Sequence, residues 1–502
     1  MSRHDCDVLI VGGGPTGITL GLFLASAGLS TIIAEKEQDI YPLPRGAHID
    51  HETVRILQNV GVADQVMATS KPGGRYDFIN AERQVLLRFE WTAPGASGWP
   101  ISNMIHQPSL EAALRTRLAA ASGTTLHVEW TFVSMQFGND GVTANFATPD
   151  GPRSVRARYI VGADGARSPV RDAAGIEVDD LGFDEPWLVV DTIVHDQSRL
   201  PDRNLQLCDP NRPTTCVMMG EGRHRWEFMI KPGETADEVL DDQFIANLLK
   251  PWNVEGAVSI ERKAFYRFYA RVAKQWRVGP VLLAGDAAHQ MPPFAGQGLC
   301  SGLRDAANLW WKLADVIKNG ADDAVLDAYQ PEREPNVRGI IDMAILMGRT
   351  VCVTDPQAAA ARDTAMLADR AAGKSPDGET SYPPISAGKI LVESAGAGTY
   401  FPQPWSQDGL DTKLDDVTGS GPVLFVRSGA PVVDQSGLPV FDLADPAVAF
   451  ARDELEAWLS LHNASSVLVR PDRYVFGTGE PNQLVEAWTR WQAIASGMSS
   501  KT

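Results

Sequence analysis

Asp7-Val8-Leu9-Ile10-Val11 runs straight into Gly12-Gly13-Gly14-Pro15-Thr16-Gly17. A short β-rich apolar run followed at once by G-x-G-x-x-G reads as a strand, a glycine turn and a helix start. The helical pattern continues from Ile18 to about Ala27, where Gly28 can cap it. Thr31-Ile32-Ile33-Ala34 is the next apolar run, and it ends on Glu35. The result is a β-α-β unit with an acid at the tip of its second strand, the layout of a dinucleotide site. Gly12 permits the tight turn, Gly14 lets backbone approach a pyrophosphate, and Gly17 lets helix and strand pack closely. Glu35 can accept hydrogen bonds from a ribose diol. Pro15, Thr16 and Lys36 are assigned to the same site. The motif alone does not separate FAD from NAD.

Two later segments repeat the strand-to-loop transition. Tyr159-Ile160-Val161-Gly162 leads into Ala163-Asp164-Gly165, and Pro169 stands where a helix can begin. Read alone, this is a strand and an Asp-Gly turn. Val281-Leu282-Leu283-Ala284 leads into Gly285-Asp286-Ala287-Ala288-His289, then Pro292-Pro293-Phe294-Ala295-Gly296-Gln297-Gly298, and a long helical pattern follows from Leu299. This layout sets an acid at a strand end and bare N–H groups at a helix start, which suits an anion.

Three motifs in this order resemble the single-component (class A) flavoprotein aromatic hydroxylases. The resemblance implies that Gly12, Gly14, Gly17 and Glu35 bind the ADP part of FAD. It places Asp164 near the pyrophosphate and gives Gly285 and Asp286 the ribityl chain. Pro44-Arg45-Gly46-Ala47 and His106-Gln107-Pro108-Ser109-Leu110 also match, so Arg45 and Gln107 are expected beside the flavin. Backbone donors around Gly296, Gly298 and Leu299 would stabilise negative charge on the reduced ring. Pro293 would line the reaction site. The implied chemistry is hydroxylation of a phenol with NADH or NADPH and O2 through a flavin C4a-hydroperoxide.

The expected fold is α/β, a Rossmann-like FAD-binding domain interleaved with a mixed-sheet substrate domain, plus a C-terminal thioredoxin-like domain. The FAD-binding domain takes 1–75, 106–185 and 276–350, and the substrate domain 76–105 and 186–275. A linker follows at 351–384 and the thioredoxin-like domain at 385–502. Helices are expected over 299–318, about 332–349 and 446–462. The tail contains no cysteine, which excludes thiol redox chemistry there, so its job is packing or homodimer formation.

Length and charge narrow the rest. The chain has 502 residues, 44% of them hydrophobic, and a formal charge of −18. That balance argues against nucleic-acid and anionic-membrane partners. Its five cysteines, at 6, 208, 216, 300 and 352, show no metal or redox spacing. Reduced thiols in the cytoplasm are the expectation, with no metal. No uninterrupted apolar segment is long enough to span a bilayer, and no signal peptide is read.

The stretch from Gly285 to Leu313, with Pro44-Arg45 and Asp50-His51-Glu52, is particularly similar to the 3-(3-hydroxyphenyl)propionate hydroxylases. A small phenol of that kind is the expected substrate. A polycyclic polyketide-type aromatic, or flavin binding without turnover, are the competing readings. No motif names the group that deprotonates the phenol. His48 is the catalytic candidate because it follows the flavin-facing arginine; a solvated loop histidine accounts for it equally. Asp191, His195, His224 and Arg225 are candidates on the substrate sheet. His289 is expected to fix its loop rather than to exchange protons.

Overall fold

Cys6–Val11 forms a strand because its apolar residues can be covered on both faces, as buried parallel strands require. The computed structural model describes residues 4–377, 382–406, 411–429 and 437–494. The helix Pro15–Ser26 follows the glycine turn and the strand Thr31–Ala34 follows the helix, completing the β-α-β unit. The central path of the first sheet runs Arg277–Val278, Val281–Leu283, Arg153–Gly162, Cys6–Val11, Thr31–Ala34 and Thr124–His127. Val11 lies opposite Gly162, and Gly162 opposite Leu283, all in parallel register. The three glycine motifs therefore leave adjacent strands at the same sheet edge. In open α/β sheets that edge, outside the carboxyl ends of the strands, is where nucleotides bind.

The second sheet has eight strands, in the order His289–Gln290, Val258–Ala273, Val178–Val194, Arg223–Met229, Thr214–Met219, Asn204–Leu207, Gly74–Ile79 and Val85–Trp91. Strand alternation divides its faces. Leu188, Val190, Trp226 and Phe228 pack outward with Val239, Ile245 and Leu249. Trp187, Asp191, Arg225 and Glu227 point the other way, toward the proline loop: the Trp187 and Phe294 rings are 5.6 Å apart. The strand Val178–Val194 crosses from the first body of the chain into the second, so the substrate sheet starts upstream of residue 186.

The helix Gly298–Lys318 lies beside Pro15–Ser26, and Tyr329–Val351 carries Pro335 within it. Between them and the tail, the segment expected as linker holds the helix Pro356–Ala371. The tail has a four-stranded mixed sheet, ordered Val440–Asp442, Val423–Val426, Ser466–Val469, Val475–Gly479, with helices Arg452–Leu461 and Pro481–Ile494. This is the expected thioredoxin-like unit.

The tail is fastened to the flavin-side helices by buried ions. Glu332 Oε2 accepts from Lys312 Nζ at 2.8 Å and from Arg470 Nη2 at 2.5 Å, all three side chains fully buried. Asp415 receives the Arg55 guanidinium at 2.7 and 2.8 Å. Buried pairs of this kind are weak evidence of net stabilisation, but loss of one partner leaves an expensive uncompensated charge. Among the described residues, no helix is long and apolar enough to cross a membrane. All five cysteines are free thiols.

Candidate functional site

The three motifs touch. A Cβ on Gly12 would come within 2.2 Å of the Ala163 carbonyl oxygen, so only glycine lets the first and second loops meet. Gly12 also has φ +109°, which side chains rarely adopt. A Cβ on Gly17 would fall 2.0 Å from the Gly12 carbonyl oxygen, which is the close helix–strand packing expected of it. Thr16 joins the third loop, since a Cβ on Gly285 would lie 2.9 Å from its Oγ1.

Around that contact is the outline of a nucleotide cradle. Gly14 caps the helix Pro15–Ser26 without any side-chain bond, and no atom stands within 4 Å of where its Cβ would be. The helix therefore offers bare N–H groups and its positive dipole end to open space. Glu35 Oε2 accepts from Gly13 N–H at 2.7 Å, which orients the carboxylate at the second strand's tip. Lys36 is 67% exposed beside Glu37. Asp164 Oδ2 accepts from Val170 N–H at 3.0 Å, whereas its Oδ1 is buried and has no partner among the described residues. Burial pushes the Asp164 carboxyl above its ordinary value. An orphaned buried oxygen beside a glycine cradle fits a sugar–phosphate neighbour. Asp286 is solvent-accessible yet densely surrounded, as a carboxylate on a cleft floor would be, and burial raises its pKa too.

The flavin end is built from the loop after Asp286. Pro293–Ala295 is a 3-10 turn, Gly296 closes it at φ +63°, and Gln297 begins the helix Gly298–Lys318 without capping it through its side chain. The N–H groups of Gly298 and Leu299 therefore have no side-chain cap. Gln107 opens its own helix; its Oε1 accepts from Gly46 N–H at 2.5 Å, tying it to the loop that carries Arg45. Arg45 is exposed, 5.3 Å over the Tyr41 ring.

His48 sits against this loop, its Nδ1 3.2 Å from the Gly296 carbonyl oxygen. A carbonyl only accepts, so Nδ1 carries the proton and the neutral ring has its lone pair on Nε2. Nε2 is buried and has no partner among the described residues. Burial lowers the pKa of His48, which favours that neutral form.

The other candidates separate by strand parity. Asp191 and Arg225 are paired on the inner face, Oδ1 to Nε at 2.6 Å, and Arg225 also donates to the carbonyls of Pro44 and Arg45 at 2.6 and 2.8 Å. His224 faces the opposite way, its ring tilted against Trp226 at 4.3 Å, and burial lowers its pKa to about 3. His195 is bound to Ser259 at the sheet's exposed end. His289 is a fixing residue, as expected: its Nε2 lies 2.6 Å from Asp305 Oδ2.

Asp305 was not anticipated. Its carboxylate also accepts from Gly285 N–H and from Arg333 Nε, both at 2.9 Å, so one buried acid anchors the third motif loop to two helices. Arg304 reaches the other way, to Glu52 at 2.6 Å and to Gln297 Oε1 at 3.1 Å. Tyr382 accepts from Gln297 Nε2 at 2.6 Å. The sequence signal was an Arg-Asp pair among the largely apolar first turns of the helix Gly298–Lys318.

Known proteins resemble this chain in sequence and in fold. The FAD binding domain family matches residues 5–344, and the HcaD C-terminal domain matches 444–494. A probable NADH-specific resorcinol 4-hydroxylase of Rhodococcus jostii is 37% identical, over 95% of this chain and 92% of that one. A 3-(3-hydroxy-phenyl)propionate/3-hydroxycinnamic acid hydroxylase of Mycolicibacterium smegmatis is 33% identical, over 94% and 90%. The fold is shared with the flavin-dependent monooxygenase PieE (TM-score 0.80, 22% identity, 97% of this chain and 99% of that one). It is shared too with aklavinone-11 hydroxylase (TM-score 0.78, 23% identity, 98% and 100%). The chain belongs to the FAD-binding family of class A flavoprotein aromatic hydroxylases.

Proposed function

We propose that this enzyme adds one atom of O2 to a small phenol, ortho to its hydroxyl, using NADH as reductant. The observation that carries the reading is the neutral His48, whose Nε2 has no partner among the described residues and whose ring lies beside the proline loop and Trp91 on the inner face of the second sheet. Bound FAD would supply the oxygen-activating redox chemistry. Gly12, Gly14, Pro15, Thr16, Gly17, Glu35 and Asp164 would hold its nucleotide half, with Lys36 at the rim. Asp286 and Gly285 would hold the ribityl chain, and Arg45, Gln107 and the N–H groups after Gly296 would face the ring.

His48 Nε2 then takes the phenol proton, which makes the ring carbon ortho to the oxygen electron-rich. Pro293 would border the reacting carbon. Phe294, packed on Phe183 and Trp187 at ring distances of 5.9 and 5.6 Å, helps exclude water behind it. NADH is proposed because a relative is named as specific for it. The test is NADH consumption by the flavin-loaded protein across a panel of phenols, with product masses. One added oxygen supports the proposal. NADH oxidised without a new product, or no phenol-dependent rate, counts against it.

A further inference from the structure

The inner face of the second sheet carries an acid held, among the described residues, only by a long ion pair. Glu227 is 6% exposed. It lies opposite Val189 on one neighbouring strand and Thr215 on the other, and shares the face of Asp191 and Arg225. Around it, Thr215 donates to Gln206 Oε1 at 2.8 Å, and Gln206 in turn bonds the Tyr76 hydroxyl. In that chain Gln206 Nε2 donates to the Tyr76 oxygen, and Gln206 Oε1 accepts from Thr215. Glu227 makes no side-chain hydrogen bond among the described residues; its closest cation is Arg225 Nη1 at 3.6 Å. A largely buried carboxyl with one long ion pair and no hydrogen bond has acceptor capacity left for a donor.

Its setting is an aromatic wall. Tyr76, Phe89 and Trp91 stack on this side of the sheet at ring distances of 5.7 to 6.4 Å, and Trp91 is 6.1 Å from His48. A ring lying between His48 and the sheet would lie on the face that carries Glu227. Both arginines of this face hold protein groups, while the buried Arg262 Nε has no partner among the described residues. Arg225 holds Asp191 and the Pro44 and Arg45 carbonyls; Arg262 holds Pro44 at 2.5 Å and Asp191 at 3.4 Å. A substrate carboxylate arriving here would meet the like charge of Glu227.

We infer that Glu227 is a specificity-determining residue that accepts a hydrogen bond from a second hydroxyl of the substrate and turns away phenols bearing an anionic side chain. The inference rests on the phenol-hydroxylase reading above and narrows its substrate to a neutral dihydroxybenzene. Burial raises the Glu227 pKa, the behaviour of a carboxyl lacking enough donors. A site built to bond a hydroxyl discriminates strongly against the analogue lacking it, because the buried group is then left unpaired.

The test is equilibrium binding to the FAD-loaded enzyme without NADH, followed by the flavin spectrum. The probes are resorcinol, phenol and 3-(3-hydroxyphenyl)propionate, with wild type, Glu227→Gln and Glu227→Leu. Wild type is expected to bind resorcinol at least tenfold more tightly than either other probe. Glu227→Gln, nearly isosteric, should keep resorcinol within a few-fold and tighten the propionate at least tenfold. Glu227→Leu should bind resorcinol no better than phenol. An unchanged resorcinol-to-propionate ratio in both variants overturns the inference, as does tight propionate binding by wild type. Turnover is scored separately: discrimination without any oxygenated product would sink the hydroxylase reading while leaving the role of Glu227 in binding supported.

Discussion

Asp305 Oδ2 lies 2.6 Å from His289 Nε2, and through that contact a helix buried in the flavin-side core holds the loop that carries Asp286. Gly285 N–H and Arg333 complete the anchor. Burial opposes the charge on Asp305, but His289 and Arg333 outweigh it and hold the carboxyl below its ordinary range. Asp305→Ala should therefore cost about 3–5 kcal/mol of stability, as expected when one partner of a buried ion cluster is removed. The wild-type contribution is present above the ordinary carboxylate pKa and lost as pH falls through the lowered one. Thermal unfolding at neutral and acidic pH, with FAD content at each, checks both statements.

The glycines of the first motif should fail differently. Gly14 has space for a Cβ and φ −79°, so Gly14→Ala should fold normally yet bind FAD at least tenfold more weakly. In Gly17→Ala the new Cβ would meet backbone at 2.0 Å, so the fold itself should be destabilised. Far-UV circular dichroism and FAD titration separate the two. Unaltered FAD affinity in Gly14→Ala would contradict the phosphate contact.

Replacing His48 tests the proton path. General-base catalysis contributes roughly a hundred- to ten-thousand-fold, so His48→Ala should lose that much rate near pH 7. Because burial lowers the His48 pKa, the wild-type rate should already be level at neutral pH and fall only on the acid side. The variant depends on the phenol's own ionisation, so its rate should keep climbing toward about pH 10, the ordinary phenolic pKa. Rates of product formation from pH 5 to about 10 give the answer.

The tail should undock in acid. Burial works against charge on Glu332, but Arg470 and Lys312 pull its pKa from 4.5 down to about 2. The stabilisation is complete above the higher value and disappears as pH falls toward the lower one. Tryptophan fluorescence should report it, since Trp311 and Trp488 stack 6.0 Å apart across this joint. Glu332→Gln should loosen the joint even at neutral pH.

The β-α-β unit, the order of the three motifs and the helix after Gly298 were all legible, because each is a local pattern of apolar period and turn residues. The substrate strands were legible as strands but not as faces. Alternation says that His224 and Arg225 point oppositely, yet only the packing of Trp226 outward decides that Arg225 faces the loop and His224 does not. The anchors were beyond reach. Asp305 with Arg333, and Arg55 with Asp415, join residues 28 and 360 positions apart, and such pairs leave no periodic trace. A charged residue on an apolar helix face was the only hint, and it does not name its partner.

The most direct measurement is isotope incorporation by the FAD-loaded protein given NADH, resorcinol and ¹⁸O2. One labelled oxygen in a trihydroxybenzene product, with FAD retained, is the predicted result. Protein that cannot be loaded with FAD, or NADH oxidised with no label entering any phenol supplied, would contradict the account.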